Sequence, residues 1–158
     1  MANGDGEWLT RPIDNPLQIQ TTTYSMDHPV GFGLIQEDRD FSAYQGIETQ
    51  YQRRPSVWVQ PVGDWGKGQV RLVELPTNNR DMDNIDVFWV PDQEPAPKTP
   101  LHFAYNLRFF LDNHGLIPLA HPVGTYLGDD PKTAGARTVV IDFGGGALTK
   151  LPGHMPVK

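Results

Sequence analysis

At 158 residues the chain is long enough for one domain with a modest core, and 38% hydrophobic with 20% charged residues describes a soluble globular protein rather than a disordered one. A net charge of −6 argues against nucleic acid as a partner, since phosphate contacts need clustered Lys and Arg, whereas a neutral polyol is not repelled. The lack of cysteine excludes disulfides, thiolate metal sites and a cysteine nucleophile.

The opening MANGDGEWLT has no basic region followed by an apolar one, so no signal peptide is expected, and no run approaches the roughly 18 apolar residues of a spanning helix. With 16 Gly, 15 Pro and frequent short β-type runs, the expected class is a loop-rich all-β fold. Met1 to Gly6 reads as frayed, and Glu7-Trp8-Leu9 as the start of a strand punctuated by Arg11-Pro12 and Asn15-Pro16. Leu17 to Tyr24 alternates, with Leu17 and Ile19 on one face, which predicts a half-buried strand. GFGLIQ is a short strand; its glycines lack the third glycine and following helix of a nucleotide loop. Ser42 to Tyr51 is the one candidate helix, weakened by Gly46.

The stretch Arg53 to Asp92 organises the rest. It contains three strands, PSVWV, QVRLVEL and IDVFWV, joined by two polar turns. Glu74 shares a face with Val70 and Leu72 and reads as a sheet-rim residue. Leu101 to Leu111 is strictly period two, with Leu101, Phe103, Tyr105, Leu107, Phe109 and Leu111 on one face. Asp112 to Ala136 reads as a loop with at most one short strand. Arg137 to Phe143 reads as a final strand, ended by Gly144-Gly145-Gly146. The sum is an antiparallel β-sandwich.

The five histidines have no paired ligand spacing and no GxSxG occurs, so neither a metal nor a cofactor is expected. Paired carboxylates remain, since glycoside cleavage needs one acid to protonate the leaving oxygen and a second carboxylate as base or nucleophile. Candidates are Glu7, Asp38, Asp40, Glu74, Asp81 and Asp83. Beside that reading stands a plainer one: Asp38 and Asp40 as an ion-paired turn around Arg39, and Asp83-Asn84 as turn chemistry. Trp58 and Trp89 read as core, while Trp65, in the turn VGDWGKG, is expected to be more exposed and to touch a ligand.

GDGEWLTRPIDNP, GFGLIQEDRDFSAYQ, YQRRPSVWVQP, DWGKG, VELPT, DNIDVFWVP, FAYNLRF and VVIDFGGG, in this order, resemble the periplasmic glucans biosynthesis proteins G and D. The resemblance implies a longer protein, whose large domain is a galactose mutarotase-like β-sandwich followed by a small immunoglobulin-like domain. It assigns residues 1–136 to the second half of that sandwich and 137–158 to a linker and first strand of the small domain. Some members are endo-β-1,2-glucanases that invert the anomeric carbon, which makes Asp83 the general acid. Trp65, Tyr44, Asp38 and Asp40 would contact substrate. The partner carboxylate is expected shortly before GEW, where this chain has Met1 to Gly4, so the general base is expected to be missing. The loop Gly124 to Ala136 is short and lacks the tryptophan of the family enzymes. A β-1,2-linked glucan partner, a periplasmic location, and apolar edges that favour a homodimer complete the expectation. The alternative is a non-catalytic carbohydrate-binding or structural module.

Overall fold

The computed structural model describes every residue except Gln45, Arg80, Asp81, 112–115, Ile117, Pro118 and 153–158. Asp81, one of the candidate carboxylates, therefore lies outside the described residues, as do His114 and His154. Two compact units form, Met1–Leu111 and Asp112–Lys158.

The first unit holds β1 (Ala2–Asn3), β2 (Gln20–Asp27), β3 (Pro29–Leu34), a one-turn helix α1 (Phe41–Tyr44), a 3-10 turn (Tyr51–Arg53), β4 (Ser56–Val62), β5 (Lys67–Glu74), β6 (Ile85–Pro91) and β7 (Ala104–Phe110). These strands make two antiparallel sheets, ordered β1-β3-β4-β7 and β2-β5-β6. The all-β antiparallel sandwich read from the sequence is the observed class.

Period-two alternation on β5 explains where the core sits. Gly68, Val70, Leu72 and Glu74 are buried, while Gln69, Arg71 and Val73 between them are half-buried. Burying Val70 and Leu72 contributes about 1.5–3 kcal/mol each. On the other sheet Trp58 is buried and stacks on Trp8, ring centroids 5.6 Å apart and planes 13° from parallel. The glycines of GFGLIQ serve this packing. A Cβ on Gly31 would lie 2.4 Å from the Trp58 ring, and one on Gly33 would lie 2.0 Å from the Val57 carbonyl oxygen. Trp65 spans the two sheets, touching Phe32 of β3 and Trp89 of β6 at 6.4 and 6.1 Å between centroids.

Several local expectations are corrected. Met1 to Gly6 is not frayed: Ala2 is buried, β1 pairs with β3, and the Met1 amino group donates to the Leu9 carbonyl at 2.8 Å. Leu17 and Ile19 precede β2 and are exposed, because the strand begins at Gln20, where pairing with Glu74 of β5 begins. Glu74 is not at a rim but has 0% exposure. The candidate helix is reduced to α1 and the 3-10 turn, since Gln50 takes a left-handed conformation at φ 44°.

At one end of β5, the β2–β3 turn docks on the β4–β5 turn. Asp64 accepts from the Gly66 amide at 2.7 Å and pairs with His28 Nδ1 at 2.8 Å. The Asp64 hydrogen bond and charge raise the His28 pKa; the Gly66 amide, then His28, lower that of Asp64. With these signs, the His28 contribution is complete below about pH 6.5 and fades as pH rises through the raised folded value. The Asp64 contribution is present above about pH 3.9 and is lost as pH falls through the lowered one. NMR titration should show His28 titrating above an ordinary histidine, and Asp64→Asn should return it to the ordinary value.

In the second unit, β8 (His121–Asp129) and β9 (Arg137–Gly144) form an antiparallel ribbon, followed by a 3-10 turn (Gly146–Lys150). The stretch expected to be a loop with at most one short strand thus holds one nine-residue strand. A two-stranded ribbon is all edge, which is where prolines and glycines such as Pro122, Gly124 and Gly128 are tolerated. Asp130 ties the connection, accepting from the Lys132 and Thr133 amides at 2.8 Å and from the Thr138 hydroxyl at 3.1 Å. These bonds lower its pKa. Among the described residues, no helix is long and apolar enough to cross a membrane.

Candidate functional site

The other end of β5 carries the groove. The β5–β6 ladder continues one pair past the strands: the Leu75 amide donates to the Asn84 carbonyl at 2.8 Å, and Asn84 Nδ2 donates to the Leu75 carbonyl at 3.0 Å. Asp83 is therefore the first residue outside the sheet. It is exposed, and it lines an open groove of about 650 Å³.

The groove draws on four parts of the chain. Asn15 comes from the segment before β2, Leu34 ends β3, Tyr51 and Arg54 come from the 3-10 turn and the residue after it, and 77–79 with 82–86 supply the rest. Most of its polar groups are neutral: Asn15, Thr77, Asn78, Asn79 and Asn84, with the Tyr51 phenol. Arg54 lies over the Tyr51 ring, 4.5 Å from its centroid, a cation–π contact that holds the ring's orientation. Leu34, Met82 and Ile85 give the groove an apolar part. Amides, hydroxyls and the carboxylates of Asp83 and Asp86 suit a polyhydroxylated ligand.

The segment before β2 holds the groove from below. Arg11 pairs with buried Glu74, and Arg11 Nη1 also donates to the Thr22 hydroxyl of β2 at 2.9 Å. The Asp14 amide donates to Glu74 Oε1 at 3.0 Å. Burial opposes the Arg11 charge, but the hydrogen bond and charge of Glu74, helped by Tyr24, outweigh it, so the Arg11 pKa is raised. One residue on, Asn15 Nδ2 donates to the Thr77 carbonyl at 2.8 Å and Asn15 Oδ1 accepts from the Thr77 amide at 3.0 Å.

The predicted site residues do not all meet. Tyr44 packs on Tyr51, centroids 6.0 Å apart, so it stands behind the groove wall. Its hydroxyl donates to the Asp38 carbonyl at 2.8 Å. The carboxylates of Asp38 and Asp40 accept from the amides of Asp40 and Ser42, both at 2.9 Å, and Asp40 so caps α1. The Ser42 amide, then its hydroxyl, lower the Asp40 pKa. The ion-paired turn around Arg39 is not what forms. Arg39 donates to the carbonyls of Gln52 and Arg54 at 3.2 and 2.7 Å and to the Ser56 hydroxyl at 2.9 Å. Trp65 lies at the opposite end of β5, roughly 25–30 Å from Asp83 along the strand. Half-buried, it contacts Phe103 and Tyr105 besides Phe32 and Trp89, and its indole N–H donates to the Ala104 carbonyl at 3.1 Å.

Asn15, Tyr51, Arg54, Thr77 and Asp86 line the groove without having been singled out from sequence. The signals were local and modest: Asn15 before a proline, and the tyrosine and two arginines of YQRR beside the central strand.

Comparison with known proteins decides the kinship. The family model described as periplasmic glucan biosynthesis protein, MdoG, matches residues 1–158. The chain belongs to this family. Within it, the glucans biosynthesis protein G of Ralstonia nicotianae is 40% identical over 166 residues, an alignment that takes in 100% of this chain and 33% of that protein. The chain thus spans about a third of the length of the curated relative it matches. The family is described as one of periplasmic glucan biosynthesis proteins.

Proposed function

We propose that the groove binds a β-1,2-linked glucan chain, and that Asp83 is the acid that protonates the leaving oxygen when such a chain is cut with inversion, the attacking water giving its proton to a second carboxylate. The observation that carries the reading is the placement of Asp83 on the wall of an open groove whose other polar groups are mostly neutral amides and hydroxyls. Sugars present just such alternating donors and acceptors, and Tyr51 adds its phenol hydroxyl to the lining. The first unit then acts as part of the catalytic-type sandwich; the expected boundary at 136/137 would part β8 from β9, so the lead toward a further domain falls to the second unit as a whole. The location is periplasmic, in keeping with the family's description.

The substrate-contact roles divide by position. Tyr44 supports Tyr51 from behind, and Asp38 and Asp40 shape the loop on which Tyr44 sits. Trp65 contacts sugar only if a glucan chain runs the length of the sheet. The exposed apolar row of β7, with Tyr105, Leu107 and Phe109, supports self-association as a homodimer.

One observation favours a second reading. Asp83 is exposed, and a hydrated carboxylate can accept hydroxyl hydrogen bonds without transferring a proton, which suits a module that binds glucan without cleaving it. Calorimetry with linear β-1,2-gluco-oligosaccharides, with chromatography of the products, tests both. Binding is expected, weakened about 3–10-fold by Tyr51→Ala through loss of the side chain and its hydroxyl from the groove. Affinity indifferent to groove substitutions would remove the groove as the glucan site. Binding without products would select the second reading.

A further inference from the structure

We propose that Asn15 is a positioning residue: its carboxamide sets the placement of the Asp83-bearing turn, and through it the hold of the groove on its ligand. The ligand in this statement rests on the glucan reading above; the geometry does not.

Two strands fasten to each other by exchanging an N–H and a C=O. Asn15 makes the same exchange with Thr77 through its side chain alone, at 2.8 and 3.0 Å. This is the segment's grip on the turn. The other end of the turn is fastened separately, by Leu75 and Asn84. Thr77 passes the hold onward, since its hydroxyl accepts from the Asn79 amide at 3.0 Å and donates to the Asn79 carbonyl at 3.1 Å. The turn leading to Asp83 is thus fixed at both ends.

A side chain can hold a turn in place only if its own backbone is fixed. Pro12 and Pro16 restrict the residues before them to extended geometry, and Asn15 is one of these. Buried Glu74 fixes the rest by accepting from Arg11 and from the Asp14 amide, the residue next to Asn15. A continuous run of bonded groups joins β2 and β5 to the Asp83 turn, and Asn15 is its final link. Asn15 also lines the groove, so the residue that sets the turn meets the ligand space.

The test compares Asn15→Ala and Asn15→Asp with Val70→Ala, a core substitution outside the groove. Asn15→Asp keeps an acceptor for the Thr77 amide but turns a carboxylate toward the Thr77 carbonyl. Without sugar, heteronuclear NMR should show displaced amide resonances for Asp83 and Asn84 in both Asn15 variants. Affinity for a linear β-1,2-gluco-oligosaccharide should fall about tenfold. Val70→Ala should lower the melting temperature more, yet leave those resonances and the affinity as in the parent. Unmoved Asp83 and Asn84 resonances in Asn15→Ala would overturn the proposal, as would moved resonances with unchanged affinity. If the parent protein binds no oligosaccharide, the glucan reading fails by itself, and the resonances still decide whether Asn15 positions the turn.

Discussion

Asp83→Asn is expected to lower cleavage of linear β-1,2-glucan by about 10²–10⁴-fold, the contribution of a positioned proton donor. The substitution keeps the size and shape of the side chain and removes only the transferable proton. Asp83 is exposed, outside the sheet, so the melting temperature should stay within about 2 °C of the parent. Oligosaccharide affinity should change little, since the amide still accepts hydrogen bonds from sugar hydroxyls. Product formation and calorimetric binding, measured on the same preparations, separate the two effects. Cleavage by the parent that continues unchanged in Asp83→Asn would take the proton-donor role away from this residue. Cleavage lost together with binding would assign Asp83 to holding the ligand.

The second large effect is on stability. Glu74→Ala is expected to destabilise the first unit by about 3 kcal/mol, the lower end of the range for breaking a buried ion pair. The lower end applies because the Arg11 side chain keeps 28% exposure, so water partly solvates the charge left behind. For a unit of this size that corresponds to a fall of roughly 10–20 °C in melting temperature. Replacing both partners, Arg11→Met with Glu74→Leu, should recover most of the loss, because no unpaired charge then remains in the core. The Asp14 amide still loses its acceptor in the double variant, so recovery should be incomplete. Thermal unfolding of the two single variants and the double variant forms a complete cycle. A Glu74→Ala protein as stable as the parent would mean that the buried pair contributes nothing net.

The strands around β5 were readable because their period-two patterns are local and strong, and β4, β5 and β6 lie where PSVWV, QVRLVEL and IDVFWV stand. What escaped depends on partners far along the chain. Nothing within Met1 to Gly6 says that Ala2 will pair with Gly31, and nothing near Glu74 says that Arg11 will cover it. Leu17 and Ile19 show the opposite error: the alternation is real, but both precede β2 and stay exposed. The site divides in the same way. Asp83 was one of six candidate carboxylates and was singled out by the family resemblance, whereas Asn15, Tyr51 and Arg54 reach the groove only through folding. Trp65 was misleading because a tryptophan in a polar turn looks free, yet four aromatic neighbours and a carbonyl occupy it.

The buried face of β5 has a bearing on how this protein can diversify. A slip of one residue would turn Val70, Leu72 and Glu74 outward together, so pairing with both neighbours tolerates no drift. The loop beyond is pinned at Thr77 and Asn84, and the described residues between those two anchors belong to no strand of either sheet. In the glucan reading proposed above, changes within that interval alter what the groove meets while the scaffold beneath stays in register.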